Sequence, residues 1–460
     1  MVPRLLELDY SPDSAARFRA LLDRPWGAFL DSGRGGAFAG RYDILAADPY
    51  LTLTTHGATT EIRSRDRCIR STADPLELVA EHLGERAEPV GHLPFAGGAI
   101  GYLGYDLGRR YENVPVHAER DLDLPDLALG FYDWAVVVDH AERRAWLAAQ
   151  GRDPRAAAVW ADLPALLEQR PARARQPFRA VSPVQPSFDR VRYAAAFARI
   201  QEHIRAGDCY QINLTQRFKA RAQGDPWAAY LNLRRTNPAP YSAYLDYPFG
   251  QILSSSPERF LTLRGDEVVT KPIKGTRPRS ADPARDAALA QALAASAKDR
   301  AENVMIVDLL RNDLGKCCVP GSIRAEPLFA IESFASVHHL VSTVSGRIAP
   351  GTHAVDVVRA CFPGGSITGA PKLRAMQIIE TLEPQRRGVY CGSIGYLGFD
   401  GSMDLNIAIR TLVRSGEWVY AWAGGGIVAD SEVDAEYQEC LDKAGALLAI
   451  LKPAESALAG

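Results

Sequence analysis

Two spacings of apolar residues alternate along the chain. Short β-branched and aromatic runs, many with an internal glycine, are separated by turn pairs such as Asp400-Gly401 and Ser415-Gly416. That is the pattern of antiparallel strands joined by hairpins. From Gly388 to Ala429 three such runs (VYCGSIGYLG, MDLNIAIRTLV, EWVYAWAGGGIV) predict a meander. Elsewhere the period is helical. Tyr193, Phe197, Ile200 and Ile204 recur at intervals of 4, 3 and 4, and the pattern stops at Gly207, which suits the residue after a helix end. Segments 299–313 and 432–451 also read as helices. The predicted fold is α+β: two large antiparallel β-sheets packed as a sandwich, with helices on the outer faces.

The chain also echoes itself. Gly98-Ala-Ile-Gly-Tyr-Leu-Gly-Tyr-Asp106 matches Gly392-Ser-Ile-Gly-Tyr-Leu-Gly-Phe-Asp400 at seven of nine positions. A weaker echo joins Ile44-Leu45, Pro49 and Leu51-Thr-Leu53 to Ile252-Leu253, Pro257 and Leu261-Thr-Leu263. Both run in the same order, which favours an internal duplication over convergent glycine-rich strands. The proline-rich, basic stretch 170–187 has no apolar period and reads as a linker between 1–169 and 188–455. Chemistry is expected in the second segment, which carries Glu258 where the first has Tyr50.

Composition narrows the class. With 53 Lys+Arg against 55 Asp+Glu the net charge is −2, which disfavours a nucleic-acid or membrane-surface binder. Charged residues at 23% and hydrophobic ones at 47% are ordinary globular usage. The seven cysteines form no C-x-x-C pair, so neither a disulfide framework nor a zinc module is expected. Arg4, Glu7 and Asp9 interrupt any leader, and a cytoplasmic protein is expected.

Several patterns can carry chemistry. Glu432, Glu436, Glu439 and Lys443 share one face of the last predicted helix, while Leu441, Ala444, Leu448 and Leu451 share another. Such carboxylates either form a solvated face or await a divalent cation. Glu302 is polar within an otherwise apolar helical run, and glutamates from two helices would suit Mg²⁺. CFPGGSITGAPKLRAM (361–376) leads glycines and hydroxyls into Pro371 at a helix start, an anion site that lacks the Walker A spacing. The glycines of Ala423-Gly-Gly-Gly426 allow close ligand approach or merely a tight turn. In Cys209–Phe218, Tyr210, Ile212 and Leu214 alternate with Gln211, Asn213 and Thr215, so a polar row faces a pocket or solvent. Arg410, among apolar strand residues, needs a carboxylate from protein or ligand. TKPIKGTRPR (270–279) is a basic loop, or else it presents Lys274 as a nucleophile placed by Gly275 and Thr276.

Taken together, these motifs resemble the chorismate-utilising enzymes, a family that includes anthranilate, aminodeoxychorismate, isochorismate and salicylate synthases. The likeness is dense over 188–452, through GDCYQINLTQRF, SSSPERF, PIKGT, ENVMIVDLLRND, HHLVS, GSITGAPK, YCGSIGY, IAIRT and GGGIVADS. It is looser before that, through GRYDILAADPY and GGAIGYLGYD. Lys274, where anthranilate synthases carry alanine, resembles the para-aminobenzoate branch, and Gln211 replaces the lysine base of isochorismate enzymes.

The resemblance implies that Mg²⁺ is held by Glu302 and Glu439, with Glu436 beside them, and binds the ring carboxylate of chorismate. It implies Arg410, Tyr390 and the amides of Gly424, Gly425 and Gly426 on the enolpyruvyl carboxylate. Glu258 is the implied acid at the C4 hydroxyl, Lys274 the nucleophile at C2, and His339 the family's active-site histidine. Gly275, Thr276, Thr368, Gly369, Gln211, Asn213 and Lys443 are the remaining implied substrate contacts. Ammonia would then add at C4, supplied by a separate glutaminase subunit. Asp299 stands where a second glutamate is common. Ser32, Pro240, Tyr241 and Ser242 resemble the family's tryptophan pocket, although Asp31 and Ala239 depart from its pattern. The alternatives are anthranilate synthase chemistry and a non-catalytic tryptophan-binding subunit.

Overall fold

A computed structural model gives the fold and describes residues 2–33, 40–168, 176–334 and 337–452. The first part of the expected linker, 170–175, and the end of the expected second segment, 453–455, lie outside the described residues. Residues Arg179–Ala180 and Gln185–Pro186 pair with the strand Gln211–Gln223, so the chain follows that sheet edge.

Among the described residues two large antiparallel sheets form the body. The first runs in space as Arg4–Leu8, Arg144–Ala149, Trp134–Asp139, Tyr42–Ala46, Gly27–Asp31, Tyr241–Tyr247, Gly250–Ser256, Thr411–Ser415, Trp418–Ile427 and Gln211–Gln223. The second runs as Cys68–Ser71, Thr59–Ser64, Leu51–His56, Leu127–Tyr132, Gly98–Leu103, Ser393–Gly398, Met403–Asn406, Arg259–Arg264, Glu267–Lys271 and Val344–Arg347. Each order reads symmetrically outward from its middle, where one strand of the first half pairs with its counterpart of the second, the other counterparts lying at equal distances on either side. The sequence echo is therefore a local two-fold: Gly101 pairs with Gly395 and Gly98 with Gly398, while Phe29 faces Tyr244 in the other sheet. The glycines at the second axis are steric requirements. A Cβ on Gly101 would lie 2.0 Å from the Ala128 carbonyl oxygen, and one on Gly395 the same distance from that of Asp404.

Tyr102, Phe131, Tyr132, Leu245, Ile252 and Leu261 belong to the core shared by the sheets. On the opposite face of the first sheet, helices Pro226–Thr236 and Val433–Ile450 bury Trp227, Tyr230 and Leu447 against Phe29 and Tyr244. Helix Arg190–Arg205 is capped by the Asp189 carboxylate on the Arg192 amide, and Gly207 follows its end at φ +77°.

Three local expectations change. The meander over 388–429 is split between sheets, because Ser393–Gly398 and Met403–Asn406 belong to one and Thr411–Ser415 and Trp418–Ile427 to the other. Arg410 is consequently not within a strand. It ends the crossing segment 407–410 at φ +51°, a segment held by the Ile407 amide on the Glu258 carbonyl and the Ala408 amide on that of Gly392. Period-2 alternation cannot distinguish two strands of one sheet from strands of two sheets. Pro371 precedes the helix Lys372–Leu382 rather than occupying its first turn, and Tyr210 is exposed ahead of the strand that begins at Gln211. No helix among the described residues is long and apolar enough to cross a membrane.

Candidate active site

A small sheet of Ile273–Pro278, Val337–Val341 and Ala330–Ser333 packs against helix Ala297–Gly315 and carries both Lys274 and His339. Its pairing slips between Ile273 and Thr276, where Gly275 sits at φ +80°. A side chain there would meet Leu293 at 2.8 Å and Asp299 at 2.9 Å, so only glycine fits beside the lysine. The expected basic loop is thus a strand. Its Asp299 neighbour is engaged by Arg277 at 3.0 Å.

The Lys274 Nζ donates to the Ser366 carbonyl at 3.4 Å. Burial lowers its proton affinity, opposed by the charges of Glu302 and Glu258. Glu258 follows the strand Gly250–Ser256 and is 6% exposed. Burial pushes its carboxyl above the usual range, while a hydrogen bond from the Ser366 hydroxyl and the charge of Lys274 pull the other way. His339 is buried, its Nδ1 2.9 Å from the Thr276 hydroxyl. Burial and the charge of Arg410 hold it at about 4, so it is neutral at pH 7.

Helix Val433–Ile450 presents its acids toward the end of the strand Trp418–Ile427. A Cβ on Gly425 would lie 3.0 Å from Glu436 Oε2, 3.7 Å from Glu439 Oε1 and 3.8 Å from Lys443 Nζ. Lys443 pairs with Glu439 at 2.6 Å and also donates to the Gly424 carbonyl at 3.2 Å. Glu436 is buried and accepts from Ser431 at 2.7 Å. Burial raises the Glu436 and Glu302 carboxyls, and like charge adds to both. Burial also acts upward on Glu439, but Lys443 holds it below its usual value. Among the described residues no three histidine, cysteine or carboxylate groups close on one point. An open, oxygen-only set from two helices fits a hard cation that keeps waters and takes ligand oxygens.

Arg410 is half-buried and has no carboxylate within ion-pair distance among the described residues; burial lowers its proton affinity and only Tyr390 opposes this. A guanidinium in that condition has the donors and charge to take an anionic ligand. Tyr390 stacks on Trp422 with centroids 5.9 Å apart and planes 8° apart. The Gln211 side chain is fully buried, covers Gly426 and has no hydrogen-bond partner among the described residues for either polar atom. Asn213 Nδ2 donates to the Ser366 carbonyl at 3.0 Å, and its backbone amide to that of Thr368 at 2.9 Å. The Thr368 hydroxyl is turned back onto the carbonyls of Gly364 and Gly365, and Gly369 pairs with Ile212. Thr276 is exposed at the rim.

Ser32, Pro240, Tyr241 and Ser242 are brought together away from Lys274, lining a cavity of about 400 Å³ between the two sheets. Ser32 donates through its hydroxyl and amide to the buried Asp43, and Asp31 is engaged by Tyr230 and Arg234.

Sequence reasoning passed over Ser366, which touches both Lys274 and Glu258, and Arg387, which pairs with Glu383 four residues back and reaches the carbonyls of Ile367 and Asn213. Both stand inside or beside quoted motifs, and the spacing of four offers the Glu383 pair but not the backbone contacts.

The chorismate binding enzyme family matches residues 29–449. Aminodeoxychorismate synthase component 1 of Klebsiella aerogenes is 50% identical over 450 residues, 97% of this chain and 98% of that protein. The Escherichia coli K12 protein of that name is 47% identical over the same shares. Anthranilate synthase component 1 of Streptomyces coelicolor is 42% identical over 84% of this chain and 78% of that one. Among solved structures, anthranilate synthase component I of Streptococcus pneumoniae superposes with a TM-score of 0.79 at 33% identity, covering 91% of this chain and 94% of that one. The chain therefore belongs to the chorismate-binding enzymes.

Proposed function

We propose that this chain aminates chorismate at C4 with ammonia, giving 4-amino-4-deoxychorismate for para-aminobenzoate and folate synthesis in the cytoplasm. The observation that carries this reading is Lys274, a half-buried amine held on the Ser366 carbonyl, whose proton affinity is lowered by desolvation and whose Ser366 support also bonds a Glu258 carboxyl raised by burial. The relatives named aminodeoxychorismate synthase, matched along nearly their full length, support it.

Glu258, protonated, gives its proton to the C4 hydroxyl, which leaves as water. Neutral Lys274 attacks C2 as the ring double bonds shift and the C4–O bond breaks, forming a C2–N bond. Ammonia then attacks C4, the double bonds shift back, and the C2–N bond breaks to return the lysine. Arg410, with Tyr390 and the amides of Gly424, Gly425 and Gly426, orients the enolpyruvyl carboxylate. Gln211 closes the site over Gly426 with two unengaged polar atoms. Glu302 and Glu439, with Glu436 beside them, would hold Mg²⁺, whose chemistry there is electron withdrawal through the ring carboxylate. His339, neutral, accepts or donates a hydrogen bond at the ring without carrying charge.

Ammonia comes from a separate glutaminase subunit. The sheet-spanning cavity at Ser32, Pro240, Tyr241 and Ser242 takes tryptophan, a reading supported by its aromatic and polar lining.

The covalent step is tested by mass spectrometry of the protein incubated with chorismate and Mg²⁺ but no ammonia. A chorismate-derived adduct on the peptide containing Lys274 is expected. Full amination by Lys274→Ala would instead mean that ammonia attacks directly.

A further inference from the structure

Arg387 is 2% exposed, the largest fully buried side chain among the described residues, and lies outside the groups assigned above. Its fork grips the Glu383 carboxylate at 2.9 and 2.6 Å. The remaining donors reach the Ile367 carbonyl at 3.0 Å and the Asn213 carbonyl at 2.8 Å. Its guanidinium also lies over the Tyr105 ring, 4.8 Å from the centroid. Glu383 in turn accepts from the Thr215 amide at 2.9 Å. One buried pair thus joins strand Gln211–Gln223 to loop 365–368 and to the turn that carries Tyr390.

That loop is what the reacting side chains lean on. Ser366, adjacent to Ile367, receives Lys274 on its carbonyl and gives its hydroxyl to Glu258. Asn213 secures the same carbonyl from the other side. A guanidinium has the rigid planar fork needed to satisfy a carboxylate and two carbonyls at once, which an ammonium cannot do.

We propose that Arg387, clamped by Glu383, is a positioning residue that sets the Ser366–Thr368 loop and through it the mutual placement of Lys274 and Glu258. The inference rests on the amination reading above. It assigns Arg387 no contact with substrate, so its loss impairs chemistry rather than binding.

The test uses the full chain and two variants. Arg387→Met combined with Glu383→Gln removes both charges together and leaves no lone buried ion. Arg387→Lys keeps charge and loses the fork. Calorimetry with chorismate and Mg²⁺ on chains that also carry Lys274→Ala, which form no adduct, counts competent sites, and steady-state amination by the chains with Lys274 gives kcat. The double variant is expected to bind one chorismate per chain within about threefold of the parent affinity, while kcat falls about 100-fold. Arg387→Lys should lie between them. Unchanged kcat in the folded variants overturns the inference, as does a loss of kcat matched by lost binding sites or a failure of both variants to fold. A parent chain that does not aminate chorismate overturns the functional reading instead.

Discussion

A lysine attacks carbon only without its proton, and Lys274 lies where burial works against the ammonium while Glu302 and Glu258 work for it. His339 is the simpler case, since burial and Arg410 act in the same direction. Its folded value of about 4 lies below the ordinary 6.5, so the unfolded chain binds more protons between those values. Stability from this group is complete above about pH 6.5 and declines as pH falls toward 4. His339→Gln should flatten the denaturant-measured stability profile across that window by up to roughly 3 kcal/mol. An unchanged slope would place the histidine in water. At this scale the motifs were legible wherever a residue type is rare in its setting, as with Glu258, Lys274 and Arg410. Ser366 and Arg387 were not, because each also works through backbone carbonyls, of Ser366 itself and of Ile367 and Asn213, that no residue type announces.

At the scale of elements, the triple glycine and the acidic helix act as one device. Gly425 lies against the tips of Glu436, Glu439 and Lys443, whereas Gly424 lies against the backbone of Leu214, where a Cβ would sit 2.2 Å from the carbonyl oxygen. The two glycines should therefore respond differently to alanine. Gly425→Ala is expected to fold, since flexible side-chain ends can yield, and to lose activity about tenfold or more as the carboxylates are displaced. Gly424→Ala is expected to lower the melting temperature by several degrees, because a strand backbone must move. Thermal unfolding and amination assays on both check this, and equal losses of stability would refute it. The helical face of Glu436, Glu439 and Lys443 could be read from a spacing of three and four, because periodicity reports which side chains share a face. It does not report what the face meets, which is the end of the strand Trp418–Ile427 at Gly425.

At the scale of the whole molecule, duplication organises everything else. Both sheets cross from one half of the chain to the other at their centres, through Phe29 with Tyr244 and Gly101 with Gly395. Expressed separately, 1–187 and 188–460 would each expose two long strand edges and the apolar faces behind them, so insoluble halves are expected. Co-expression should restore a soluble complex, and a soluble, cooperative monomer of either half would argue against the shared sheets. The repeat was legible because glycine is obligatory at its axis. The split of the 388–429 run between sheets was not, since alternation carries no sheet identity. Within the same two-fold body, the proposed reacting groups are gathered from 211–443 alone. Identifying the product formed from chorismate, ammonium and Mg²⁺ tests that proposal directly. The account predicts 4-amino-4-deoxychorismate with the enolpyruvyl group retained, and fluorescent anthranilate with free pyruvate would contradict it.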